Sequence, residues 1–431
     1  MSPLVESKII NQRTGFFKGL IPVESFIKPI ELYIYAPIYF VKPDAIDANT
    51  NLLSVAGAGL SHEEAKAKCL GEAIERYCWY YAGYWMEQLQ TCFNKIRDSA
   101  LPPGDYALFS DAQYTEKSFP FKPLRENTIL YWVKGTRLHD QKPVYLPSQL
   151  CFPTNNDTSR ICYYTTTGLA CSENYFRALY TSICEVIERD AFMLMWLNKM
   201  KPRLIEIEWE ETSRLKKILE FLSISKYRCL IFLLNNEIDI PVSMTILLNK
   251  DNGSPFVALG MACDLDRAHA IRKSILESLH NLNFLLWAQR NNISITWEKG
   301  KTSLKDFDDH ALLYANPKMK KKISFILARP HSKAKITLND SREDFNYEEV
   351  SQKLIDMIAE NGYQAVAVNL TPQEVKNMGL YVIRTVIPGF IDLGFNGYNY
   401  LGSKRIYEIP QQWGLNKIHR IKLNTFPHPF P

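Results

Sequence analysis

The sequence predicts a mixed α/β (α+β) fold in which mixed sheets back three long helices whose acidic faces converge on one site. Three observations predict it. Glu72-Ala-Ile-Glu75-Arg76 returns as Glu185-Val-Ile-Glu188-Arg189, an offset of 185 − 72 = 113 positions. A glycine-bearing turn precedes each copy, and an alanine (Ala65, Ala178) stands seven residues before its first glutamate. The order strand, turn, acidic helix then occurs a third time, around Glu277.

On a helix, positions i, i+3 and i+4 share a face. Each copy therefore presents two carboxylates and a guanidinium from one patch. A solvated, salt-bridged face gives the same local pattern, but such a face has no reason to repeat its upstream loop. Two carboxylates three residues apart repel unless a cation lies between them. Mg²⁺ suits that place because it prefers hard oxygen ligands and phosphates, and an arginine beside it suits a phosphate.

Taken in order, residues 1–50 are irregular, with a weakly alternating strand near residues 32–36. Residues 51–59 read as a strand ending in the Gly57-Ala58-Gly59 turn. Ser61 is placed to cap a helix that opens at His62 and runs through the aromatic-rich stretch to Tyr84. Residues 95–150 are loop-rich, with strands at 129–135 and 142–147 turning at His139-Asp140. A strand over 161–165 leads to the Gly168 turn and the second helix, 173–196. Strands follow at 204–209, 227–234, 240–248 and 256–262, with a helix at 211–222. The third acidic helix begins at Asp264-Leu-Asp266 and carries Glu277, with Arg272 and Lys273 nearby. Residues 292–345 are polar and lysine-rich without strong periodicity. An amphipathic helix at 347–360, a strand at 365–370, a short helix at 372–377 and a strand at 381–389 complete the pattern.

Composition narrows the class. The 431 residues are 46% hydrophobic and 23% charged, which suits a large packed core. No apolar run reaches the ~20 residues that span a bilayer, and the N-terminus lacks a signal-peptide pattern. Nine scattered cysteines without a Cys-x-x-Cys pair fit reduced cytoplasmic thiols and offer no zinc spacing. A net charge of +5 is too mild to argue for nucleic acid. The densest basic run, Lys318 to Lys322, reads as a solvated loop, the sharper alternative being an acidic partner surface. The chain closes with Phe426-Pro427-His428-Pro429-Phe430-Pro431. Proline at every second position excludes helix and holds the segment extended, so its terminal carboxylate is deliverable to a fixed place.

These residues resemble the YcaO family. The likeness rests on Gly57-x-Gly59 before Ala65, Glu72-Ala-Ile-Glu75-Arg76, Thr165-Thr-Thr-Gly168-Leu-Ala, Glu185-Val-Ile-Glu188-Arg189-Asp190, Glu277, and the stretch from Asn369-Leu-Thr371 through Val386-Ile-Pro388-Gly389. The Pro427-x-Pro429-x-Pro431 ending is similar to that of the azoline-forming cyclodehydratases of thiazole/oxazole-modified peptides. The resemblance implies an N-terminal segment, 1–50, near a partner, and a YcaO-like catalytic domain over 51–431 ending in the proline tail. It implies ATP and Mg²⁺ as cofactors. Glu72, Glu75, Glu185, Glu188 and Glu277 would hold magnesium around the nucleotide. Arg76 and Arg189 would contact phosphates or order the carboxylates, Lys273 would supply a further phosphate contact, and the Pro431 carboxylate would accept a proton. Three positions depart from the family pattern: Ala58 in the glycine turn, Lys68 four residues before Glu72, and His280 with Asn281 after Glu277.

The implied activity is ATP-dependent cyclodehydration of Cys, Ser or Thr in a ribosomally made precursor peptide. Because the chain begins close to the YcaO-like core, a separate E1-like protein is expected to bind the peptide's leader. The resemblance also allows a flavin-dependent azoline dehydrogenase as a partner and a homodimer within a larger complex. It calls for neither nucleic acid nor membrane. The rival readings are YcaO-type thioamidation or amidine formation, and a non-catalytic scaffold subunit.

Overall fold

The computed structural model describes residues 1, 3–11, 15–39, 55–154, 159–209, 214–297, 304, 306–328, 334–338, 345–395, 398–414 and 423–430. The three long helices stand where the pattern placed them, at His62–Tyr81, Tyr175–Leu197 and Arg267–Arg290. Each begins at a side-chain cap: Ser61 accepts from Glu64 N, Asn174 from Arg177 N, and Asp266 from Ala268 N and His269 N. Each cap satisfies backbone donors that helix geometry leaves open, worth about 1 kcal/mol.

Two larger sheets enclose the second helix. One is five-stranded, in the order Val257–Cys263, Val242–Asn249, Tyr227–Leu234, Arg203–Trp209, Ala334–Leu338. The other runs Gln88–Thr91, Leu130–Arg137, Val366–Asn369, Tyr381–Val386, Leu169–Ser172, with Lys142–Pro147 paired to the second of these. The second helix packs on strands of both sheets, and a helix so enclosed must be apolar nearly all round. Phe192, Met193, Leu194, Met195, Trp196 and Leu197 are accordingly all buried.

Three strands of the five-stranded sheet, Tyr227–Leu234, Val242–Asn249 and Val257–Cys263, are buried on both faces over most of their length, which explains why they read as mainly apolar runs. Arg203–Trp209, in contrast, alternates and exposes Glu208. Side chains still alternate. Leu230, Phe232 and Leu234 join the core around the second helix, while Tyr227 and Ile231 join a separate core under the third helix with Ile271, Ile275, Leu279 and Leu282.

A small antiparallel sheet joins Phe17–Pro22, Tyr33–Tyr39 and Gly57–Gly59. Gly57 therefore lies in a strand, not in the expected turn. A Cβ there would meet Cys69 N at 2.1 Å and Ala65 O at 2.4 Å, so the glycine is needed because the first helix lies directly on the strand. Gly168 is a true turn, with φ +77°. Here the strand follows the glycine, at Leu169–Ser172. The expected strand at 161–165 is absent because side chains take its ladder donors: Gln149 Oε1 accepts from Ile161 N at 2.9 Å and Tyr400 Oη from Tyr163 N at 3.0 Å. Within the lysine-rich region, a helix at Phe307–Tyr314 and a parallel edge strand at Ala334–Leu338 form despite the polar sequence. Lys318, Lys320 and Lys321 are exposed on a 3₁₀ segment, as a solvated run requires.

Candidate nucleotide and metal site

The three acidic helices meet at a cavity of about 310 Å³. Glu72, Glu185, Glu188 and Glu277 line it, together with the cations Lys68, Arg189 and Lys273. Ala58 and His280 line it too, so three of the positions that depart from the family pattern face the same space. Glu75 and Arg76 are not among the lining residues.

The two copies share one internal rule. The first glutamate pairs with the arginine four residues on: Arg76 Nη2 to Glu72 Oε1 at 3.2 Å, and Arg189 Nη2 to Glu185 Oε1 at 2.7 Å. The second glutamate reaches across to a strand amide. Glu75 Oε1 accepts from Cys171 N at 2.7 Å and Glu188 Oε2 from Cys263 N at 3.0 Å. Glu277 Oε2 follows the same rule, accepting from Met261 N at 2.7 Å. Amides within the strands Leu169–Ser172 and Val257–Cys263 thus fix acids on all three helices, a coupling that spacing alone cannot show.

Electrostatics mark the cluster as short of positive charge. Burial, then its neighbour Glu277, pushes the Glu188 carboxyl up to about 8. Burial raises Glu277 to about 7 and holds Glu185 above the ordinary carboxylate range. Glu75 is raised well above it too, by burial and then by Glu72 and Glu185. Burial works against the charge of Lys273, but Asp264 and Glu188 outweigh it and hold the ammonium above its usual range. Burial, with Lys68 beside it, lowers His280 to about 4, which leaves the imidazole neutral.

The donor chemistry fits a hard divalent cation and a polyphosphate. The acids offer only oxygen ligands, and Arg189, Lys273 and Lys68 face them across the cavity as phosphate-binding cations. Among the described residues, no three acidic, histidine or cysteine side chains close on a common point. The strand amides and arginines account for this, since each holds one oxygen of an acid.

The proline tail is not a loose end. Trp196 Nε1 donates to Phe426 O at 2.9 Å, Tyr314 Oη to Pro427 O at 2.7 Å, and His428 Nε2 lies 3.0 Å from Gly394 O. His310 Nδ1 lies 3.0 Å from His428 O. Phe430, 2% exposed, lines the acidic cavity and stands 5.9 Å from the Arg189 guanidinium. Pro431 lies outside the described residues. Two residues escaped sequence reasoning as site components, Thr167 and Asp392, which back Arg189 from behind. The pair Thr165-x-Thr167 carried a signal, since alternate hydroxyls on extended backbone share one face.

Comparison with known proteins bears on the fold and the family. No curated protein matches the chain in sequence. A heterocyclase solved with substrate and cofactor is 18% identical, with a TM-score of 0.80 over 99% of this chain and 57% of its own. The E. coli microcin synthetase McbBCD complex with pro-MccB17 bound is 15% identical, with a TM-score of 0.62 over 96% of both chains. YcaO from Methanopyrus kandleri, bound with AMPPCP and Mg²⁺, is 17% identical, with a TM-score of 0.59 over 88% of this chain and 87% of its own. The chain thus spans little more than half the length of the heterocyclase, and these likenesses establish the fold. The profile of the family described as YcaO cyclodehydratase, ATP- and Mg²⁺-binding, matches residues 56–391. The chain belongs to the YcaO cyclodehydratases, a family that binds ATP and Mg²⁺.

Proposed function

We propose that this chain is the cyclodehydratase subunit that forms thiazolines or oxazolines in a ribosomally made peptide. The observation that carries the reading is the convergence of four glutamates, two lysines, an arginine and the tail residue Phe430 on one cavity. A scaffold has no reason to bury so many acids whose charge is costly there.

In this reading a Cys, Ser or Thr side chain adds to the preceding amide carbon and gives up its S–H or O–H proton; the amide oxygen then departs as the amide nitrogen loses its proton, and a C=N bond completes the ring. ATP, held with Mg²⁺, supplies the phosphoryl group that makes that oxygen a leaving group. Glu72, Glu185, Glu188 and Glu277, which line the cavity, are the residues to hold the metal, while Glu75, expected to join them, stands behind the wall and braces the strand amide of Cys171. Arg189 and Lys273 are the phosphate contacts, with Arg76 ordering Glu72. Such chemistry rests on positioning and charge neutralisation more than on covalent participation. Phe430 and the hydrogen bonds behind it fix the tail. The Pro431 carboxylate, which follows Phe430 in the sequence, is the proton acceptor for the attacking thiol or hydroxyl.

Likeness along 96% of both chains to a component of a multi-protein synthetase solved with a pro-peptide supports a precursor peptide as substrate and a separate leader-binding partner. Among the described residues no helix is long and apolar enough to cross a membrane.

Mass spectrometry of a candidate peptide incubated with the chain, its partner, ATP and Mg²⁺ tests this. Loss of one water per ring, with matching phosphate release, is expected. Removing Pro431 alone should abolish ring formation while ATP still binds. Unchanged turnover in that variant would favour thioamidation or amidine formation at the same nucleotide site.

A further inference from the structure

Arg189 is held on both sides. Its Nη2 pairs with Glu185 inside the cavity, and its Nη1 donates to Thr167 Oγ1 at 2.8 Å. Thr167 donates its own proton to Asp392 Oδ1, and Thr165 donates to Asp392 Oδ2 at 2.5 Å. Leu393 N also donates to Asp392 Oδ1, at 2.7 Å. Thr165, Thr167 and Asp392 line a second, smaller cavity of about 70 Å³, which does not include Arg189. The relay therefore reaches the guanidinium from outside the nucleotide cavity.

The polarity of this relay is set at its far end. A hydroxyl has one proton and two lone pairs, whereas a guanidinium has donors only. Because Thr167 gives its proton to Asp392, only lone pairs face Arg189. Asp392 accepts from both threonines, which an amide in its place cannot do with both oxygens. The arginine keeps a fixed plane through two Nη contacts, while its buried Nε has no hydrogen-bond partner among the described residues. Arg76 in the first copy has its pairing with Glu72 and lies off the cavity lining.

We propose that Asp392 and Thr167 are positioning residues that hold the Arg189 guanidinium in one orientation toward the outer phosphates of the nucleotide. The inference rests on the ATP reading above. Its experiment measures Mg²⁺-ATP binding by calorimetry and AMP by competition, on the full chain and on Thr167→Val, Thr167→Ser and Asp392→Asn. AMP lacks the outer phosphates and serves as the internal control. Thr167→Val and Asp392→Asn should each weaken ATP by about tenfold, the effect of one charge-assisted hydrogen bond, and leave AMP as in the parent. Thr167→Ser should restore ATP to within about twofold, since it returns the same acceptor. Equal losses of ATP and AMP would overturn the proposal, because they mark general damage. Parental ATP affinity in both Thr167→Val and Asp392→Asn would also overturn it. Should Thr167→Val fail to fold, Asp392→Asn, which keeps the shape, decides alone. Failure of the parent itself to bind ATP would remove the ATP reading and this inference together, an outcome distinct from the other two.

Discussion

The two copies of Glu-x-Ile-Glu-Arg are near-identical as sequence and unequal as structure. The second lies on a helix enclosed by two sheets; three of its charged residues, Glu185, Glu188 and Arg189, line the cavity. The first lies on a helix packed mainly on the small sheet, and only its Glu72 reaches the lining. Its Glu75 instead accepts from Cys171, on the strand that leads into the second helix. The first copy therefore leans on the second. A repeated motif conveys repeated chemistry, but the burial around each copy decides how much of that chemistry reaches the ligand.

This inequality can be broken by substitution. The largest effect is expected from Glu188→Ala, with Mg²⁺-ATP affinity falling by about a hundredfold or more, against about tenfold for Glu72→Ala; these scales follow from losing a buried ligand as opposed to a half-exposed one. Titration calorimetry checks both, and equal losses would contradict the ranking. The arginines should separate next. Arg189→Ala should cost about ten- to a hundredfold in ATP affinity, the scale of a lost charge-assisted contact, while Arg76→Ala should cost a few-fold.

The tail sharpens the same contrast between buried and exposed sites. Phe430→Ala should destabilise the fold by about 3–5 kcal/mol, as for a buried aromatic, read by denaturant unfolding. Tyr84→Ala, at a position 70% exposed, should shift it by less than about 0.5 kcal/mol. A further effect concerns pH. Burial lowers His310 to about 4, and His428, facing it with the Phe307 and Phe395 rings, is lowered further. The unfolded chain therefore binds protons that the fold does not. Their contribution is present above about pH 6.5 and is lost as pH falls toward the folded values. By about pH 5 His310 should cost on the order of 2 kcal/mol, His428 should act in the same direction, and His310→Gln should flatten the dependence of Tm on pH.

Much of the site was legible because its elements repeat. Helix starts followed from Ser61 and Asp266, and the acids followed from the helical period. The strand-like runs at 227–234 and 240–248 declared themselves by being mostly apolar, broken only by Arg228, Ser243 and Thr245. What stayed hidden depends on contacts between distant segments. Gly57 reads as a turn until the helix lying on it is seen. The segment 161–165 reads as a strand until Gln149 and Tyr400 are found holding its amides. The edge strand Ala334–Leu338 does alternate apolar and polar residues, but it is only five residues long inside a lysine-rich stretch, too short for the alternation to stand out. Asp392, some 200 residues from Arg189 in sequence, carries no local motif.

The central claim is that both echoed motifs serve one nucleotide. Calorimetric titration of the purified chain with ATP and Mg²⁺, beside Glu72→Gln and Glu185→Gln, tests it most directly. The account predicts saturable one-to-one binding in the parent and marked loss in both variants. Parental affinity in either variant, or no binding by the parent with its leader-binding partner present, would contradict it.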